Sequence, residues 1–118
     1  MITFEEFKKI DLCVARVLHA ERVDGSEKLI RLEVDAGDVS DADIEEARPA
    51  GTVRQIVAGI GLRYQPEELV GKNIIIVANL EPRTLMGQVS SGMLLAAAGD
   101  GPVLLTTAHD VAPGARIT

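Results

Sequence analysis

Val77-Ala78-Asn79-Leu80-Glu81-Pro82-Arg83-Thr84-Leu85-Met86-Gly87-Gln88-Val89-Ser90-Ser91-Gly92-Met93-Leu94-Leu95-Ala96-Ala97-Ala98 joins two apolar runs through a polar segment that contains glycine and is broken by proline. The run before it, Ile74 to Ala78, is short and β-branched, which suits a buried strand rather than a helix of ordinary length, and Met93 to Ala98 can pair with it. Two strands thus hold a loop at its ends. Inside the loop Pro82 fixes one backbone angle and biases Glu81 toward an extended conformation, while Gly87 and Gly92 admit positive φ or the close approach of a partner. Arg83 is the one certain cation. The thioethers of Met86 and Met93 and the hydroxyls of Ser90 and Ser91 flank it, a set that can meet a phosphate and the apolar face of a base or sugar.

Working outward, residues 12–23 and 29–36 carry period-two patterning, with Ile30, Leu32 and Val34 on one side and Arg31, Glu33 and Asp35 on the other. The turn-rich Asp24-Gly25-Ser26-Glu27-Lys28 between them makes a hairpin. Arg54 to Ala58 reads as a third strand, ended by Gly59-Ile60-Gly61, and Pro66-Glu67-Glu68-Leu69 as a short helix that Gly71 stops. A helix between the third and fourth strands of a five-stranded barrel is the OB-fold arrangement, so the fold class is all-β with short helices. Thr3 and Glu6 match a capping box, and Phe4 and Phe7 then lie on one side of a brief helix expected to plug one end of the core. Residues 37–51 turn to Asp, Glu, Ala, Ser and Pro, an acidic insertion in which Ser40 can cap one or two helical turns over 41–47. After the turn Gly99-Asp100-Gly101-Pro102, Val103 to Thr106 reads as a further strand. The tail that follows exceeds what a minimal barrel needs, so residues 99–118 form a C-terminal β extension.

The 118 residues, 47% of them hydrophobic, suffice for one compact core and are too few for two ordinary domains, so 1–118 is read as a single domain. No apolar run approaches the roughly 20 residues needed to cross a bilayer, and the N-terminus lacks the order of a signal peptide. A lone cysteine, Cys13, makes no internal disulfide and agrees with a reducing compartment, so the expected location is cytoplasmic. The net charge of −6 opposes a strongly basic, nucleic-acid-gripping surface. Much of that acidity is local: setting aside Asp38, Asp41, Asp43, Glu45 and Glu46 leaves 13 acids against 12 bases. A near-neutral remainder can still present a positive face, with weak, salt-sensitive binding.

Several chemistries drop out. His19, His109 and Cys13 give no paired spacing for a metal. Gly59-x-Gly61 lacks the third glycine and the long helix of a dinucleotide site, so no cofactor is expected. Ser90, His109 and Asp110 could be written as a triad, yet there is no nucleophile elbow, and adjacent His and Asp point apart on a strand, so no catalytic residue is assigned. With Phe4, Phe7 and Tyr64 as the only aromatics, all outside the predicted sheet face, stacking of single-stranded bases loses its main contribution. Shape recognition of a folded RNA through phosphates and 2′-hydroxyls needs only rigid loops and a few cations.

Asn79-Leu80-x-Pro82-Arg83 and Gly87-x-x-Ser90-x-Gly92-Met93, with Asp11-Leu12-x-Val14, Ser26-x-Lys28-Leu29 and Arg54 to Ile60, closely resemble the tRNA-binding OB-fold domain family. That family includes stand-alone structure-specific tRNA-binding proteins and the β subunit or C-terminal domain of methionyl-tRNA synthetase. The resemblance spans nearly the whole chain. It implies a non-catalytic protein that recognises tRNA shape with little sequence preference, free-standing or as an accessory to methionyl-tRNA synthetase. Lys28, Asn79, Arg83, Ser90 and Met93 are the expected tRNA-binding residues, with Arg16 and Arg31 as neighbours of Lys28. Asn79 has a second reading, a tie from the turn to its own backbone. The resemblance also implies a homodimer through the C-terminal extension. Cys13, Glu81 and Thr84 stand where the family often has a basic residue. A related branch of the same fold, a dimeric secretion-type chaperone that binds unfolded peptides, is the alternative, and the sparse basic charge suits it.

Overall fold

The alternation that starts at Leu12 becomes an 11-residue strand, β1 (Leu12–Arg22), whose register shifts between Val17 and His19. The irregularity bends the strand, and a bent strand can serve two neighbours that diverge around a barrel. Its second half pairs antiparallel with β2 (Ile30–Asp35), which pairs in turn with β3 (Arg54–Ala58). Its first half, Leu12 to Arg16, pairs with β4 (Asn73–Val77). The structure, a computed structural model, describes residues 1–38 and 53–118, so the expected helix at 41–47 and all but the first two residues of the 37–51 insertion lie outside the described residues.

The loop after β4 is more regular than a linking turn. It carries its own hairpin, β5 (Arg83–Leu85) and β6 (Gln88–Ser90), before β7 (Met93–Leu94) returns to pair with β4 through Ile76–Leu94 and Val77–Met93. The order in the main sheet is β3-β2-β1-β4-β7, a nearly closed five-stranded antiparallel barrel of OB type, as the spacing predicts. Inward-facing Ala15, Val17, Ile30, Leu32, Val34, Ile56, Ile74, Ile76 and Leu94 fill it. Each of the Val, Ile and Leu side chains among them contributes roughly 1.5–3 kcal/mol by leaving water. Helix α2 (Pro66–Leu69) has proline in its first turn, as read, and delivers Leu69 to the same core.

Three expectations are corrected. Met93 to Ala98 is not one strand: it parts after Leu94, and β8 (Ala96–Gly99) pairs instead with β9 (Gly101–Leu104), which also moves the predicted 103–106 strand back by two residues. The apolar content of residues 93–98 could not signal the break, because alanine reads alike in either partner. Helix α1 (Phe4–Phe7) has the capping box, with Glu6 N–H donating to Thr3 Oγ1 and Thr3 N–H to Glu6 Oε1, but it plugs nothing. Phe4 is 72% exposed and α1 contributes no buried residue.

The tail lies along β1. Val14 N–H donates to Ala115 O, Gly114 N–H to Val14 O and Ile117 N–H to Leu12 O, so the edge of β1 opposite β4 is covered over Leu12 to Val14, and Val14 is buried. Arg16 and Asn73 both donate to the Asp110 carboxylate, at 2.8 and 3.0 Å, and pin the segment before it. Cys13 is buried in the core, and burial, followed by the nearby Asp11 carboxylate, pushes its thiol above the ordinary value. Since the thiolate is the reactive form, Cys13 should resist iodoacetamide in the folded protein and react fully in denaturant. Complete alkylation under native conditions would contradict this packing.

Candidate functional site

Barrel closure and the candidate site are one construction. β3 and β7 exchange no ladder of bonds; the end of the β5–β6 hairpin bridges them instead. Ser91 N–H donates to Gln55 O at 2.8 Å, Gln55 Nε2 to Val89 O at 2.8 Å, and Val57 N–H to Ser90 Oγ at 2.9 Å. The Ser90 hydroxyl donates onward to Gly92 O at 2.8 Å, and the residue is 1% exposed. Both functions of that hydroxyl are used within the chain, so Ser90 is placed to hold the hairpin rather than to face solvent. Gly92 is required beside it: φ is +109°, and a Cβ there would sit 2.7 Å from Val77 O.

Arg54 ties the other side. Its Nη1 donates to Ala78 O at 2.6 Å and to Ser91 O at 3.1 Å, binding together the two ends of the loop. Its Nε and Nη2 form a fork onto Asp38 at 3.0 and 2.8 Å, and these hydrogen bonds raise the guanidinium pKa further. Asn79 anchors the loop start, accepting from Asp11 N–H at 2.9 Å and donating to Lys9 O at 2.7 Å, a tie to the N-terminal segment rather than to the turn's own backbone. The hairpin tip is a two-residue loop in which Met86 (φ 48°) and Gly87 (φ 80°) both have positive φ, the type I′ signature. A left-handed methionine costs on the order of 1 kcal/mol or more. That arrangement sets Met86, 58% exposed, over the β1–β2 turn near Gly25.

On this frame Arg83 and Met93 come together. With Leu80, Glu81 and Gly92 they line an open, mainly apolar cleft of about 470 Å³. Arg83 is exposed and has no ion pair among the described residues. Lys28 is elsewhere. It sits on the β1–β2 turn, where Ser26 Oγ accepts from Lys28 and Leu29 N–H, and its neighbours are Gly59 and Arg63 rather than Arg16 or Arg31. Arg16 is engaged by Asp110. Arg31 is engaged by Glu21, at 2.7 Å, and by Glu33, and the hydrogen bond from Arg31 holds the Glu21 carboxyl below its usual range.

Sequence reading missed Arg54 as the loop's clasp and Arg63 as the neighbour of Lys28. For Arg54 the signal was a cation opening a strand that ends in three apolar residues. For Arg63 it was Gly59-x-Gly61, which marks a backbone packed tightly on another.

Three comparisons bear on this site. A family model, "Putative tRNA binding domain", matches residues 12–116. The methionine-tRNA ligase of Caldanaerobacter subterraneus subsp. tengcongensis is 48% identical over 118 residues, covering 99% of this chain and 16% of the ligase. The chain therefore spans about a sixth of that relative. Among solved structures, a MetRS related protein from Pyrococcus horikoshii is 35% identical with a TM-score of 0.82, covering 100% of this chain and 98% of that one. The chaperone CsaA of Bacillus anthracis is 31% identical with a TM-score of 0.81, covering 100% and 99%.

Proposed function

Because the chain belongs to the tRNA-binding domain family, whose model covers 12–116, we propose that it binds transfer RNA by shape with little sequence preference, in the cytoplasm and without catalysing a reaction. It does so free-standing or as an accessory to methionyl-tRNA synthetase, the activity of the relative that carries a similar stretch. The observation that carries the reading is Arg83, an exposed cation with no ion pair among the described residues, on a hairpin pinned at both ends beside an apolar cleft. A phosphate meets the guanidinium and a sugar or base edge meets Leu80 and Met93. Lys28 contacts a second phosphate. Asn79 and Ser90 act by holding the loop, which supports shape recognition because a rigid rim selects a surface rather than a sequence.

The apolar residues of the N-terminal segment, Ile2, Phe4, Phe7 and Ile10, all stand exposed, which supports a homodimer in which a second copy covers them. The C-terminal segment 99–118 is the other candidate for that contact, as part of the single domain 1–118. A second reading, a peptide-binding chaperone, is favoured by the likeness to CsaA and by the apolar lining of the Arg83 cleft.

Labelled bulk tRNA and a labelled unfolded peptide, titrated side by side at low salt, separate the two. tRNA should bind, weaken as salt rises and form complexes holding two chains, while the peptide does not bind. Peptide binding without tRNA binding would exchange the first reading for the second.

A further inference from the structure

Lys28 and Arg63 face a second cleft, of about 410 Å³, between the β1–β2 turn, the Gly59–Arg63 segment and the β8–β9 turn. Gly59, Leu62, Asp100, Gly101 and Pro102 complete its lining. The backbone beneath is held firmly. Gly61 N–H donates to Lys28 O at 2.7 Å, and Arg22 Nη1 donates to both Glu27 O and Gly61 O, at 2.7 and 2.9 Å. The lysine stem lies across Gly59, where a Cβ would come within 3.0 Å of Lys28 Cε, so the absence of a side chain at 59 lets the stem lie down. On the facing side the Arg63 stem runs against Gly101 and beside the Tyr64 ring, with the guanidinium carbon 6.0 Å from the ring centre. Neither cation has an ion pair among the described residues. Leu62, 77% exposed, lines the same cleft.

Two cations with seated stems, an exposed aliphatic side chain and one carboxylate suit a nucleotide better than a bare anion. Lys28 and Arg63 draw the phosphodiester, and Leu62 and Pro102 offer an apolar face to a sugar or base. Asp100 repels free phosphate but accepts from a 2′-hydroxyl or a base amino group. We infer that this cleft is a second RNA-contacting site, separate from the Arg83 cleft, in which Arg63 and Lys28 together hold one nucleotide of the bound tRNA. The inference rests on the tRNA-binding reading and adds Arg63, Leu62 and Asp100 to it.

The test is an anisotropy titration of labelled bulk tRNA against the full chain over a range of salt concentrations. Parent, Lys28→Gln, Arg63→Gln and Arg63→Lys are compared, the glutamines keeping most of each stem and removing the charge. Each glutamine variant should bind roughly three- to tenfold more weakly and lower the slope of log K against log salt by about 0.7–0.9, the value of one phosphate contact. Arg63→Lys should restore the slope. If the parent binds tRNA and Arg63→Gln matches it in affinity and slope, the cleft is wrong while the tRNA reading stands. A parent that binds no tRNA overturns both. Displacement of tRNA by inorganic phosphate at matched ionic strength overturns the nucleotide assignment.

Discussion

Arg54→Ala should lower the melting temperature by about 8–16 °C and remove most tRNA binding with it. The size follows from what one side chain holds: the carbonyls of Ala78 and Ser91, at opposite ends of the loop, and both oxygens of Asp38. The guanidinium is part-buried, so its loss strands two carbonyls where water reaches them poorly and frees a carboxylate that must find solvent. Breaking such a set costs about 2–4 kcal/mol, and 1 kcal/mol moves the melting point of a 118-residue domain by roughly 4 °C. Binding falls too, because the same bonds fix how the β5–β6 hairpin leaves the barrel. Arg54→Lys keeps the charge but not the planar fork, so it should recover only a minor part of the loss. A circular dichroism melt of the alanine variant that overlays the parent would mean the loop is held by other contacts.

The barrel was legible because its strands obey rules that act locally. Ile30, Leu32 and Val34 alternate, Pro66 starts a helix and Thr3 with Glu6 caps one, so strand positions and the all-β class follow from neighbours a few residues apart. What stayed hidden depends on pairs distant in sequence. Ser90 looked like a hydroxyl offered to a ligand, yet Val57 N–H takes its oxygen from 33 residues away, and no local pattern marks a hydroxyl that closes a barrel. Phe4 and Phe7 looked like core because they are aromatic and share a helix face, but burial depends on what that face meets, and here it meets no core. The hairpin inside the loop escaped for a related reason. Met86-Gly87 is an uncommon pair for a type I′ turn, in which asparagine or aspartate before glycine is usual.

Arg83→Ala should weaken tRNA binding about tenfold, flatten the salt dependence by about one unit of slope and leave the melting temperature unchanged. Stability is spared because the side chain is exposed and makes no ion pair among the described residues, while its backbone stays paired with Ser90 whatever the side chain is. The affinity loss is large for a single exposed cation because of what surrounds it. On a chain of net charge −6, Glu81 is the only other ionisable group lining that cleft among the described residues, so removing Arg83 leaves the lining negative. Repulsion of the incoming phosphate then adds to the lost charge-assisted bond, which by itself is worth about 1.5 kcal/mol at the lower end of such contacts. The same reasoning run in reverse predicts that Glu81→Lys tightens binding and steepens the salt slope. A gel shift in which Arg83→Ala retards tRNA like the parent would move the RNA off this hairpin and toward the Lys28 side of the barrel.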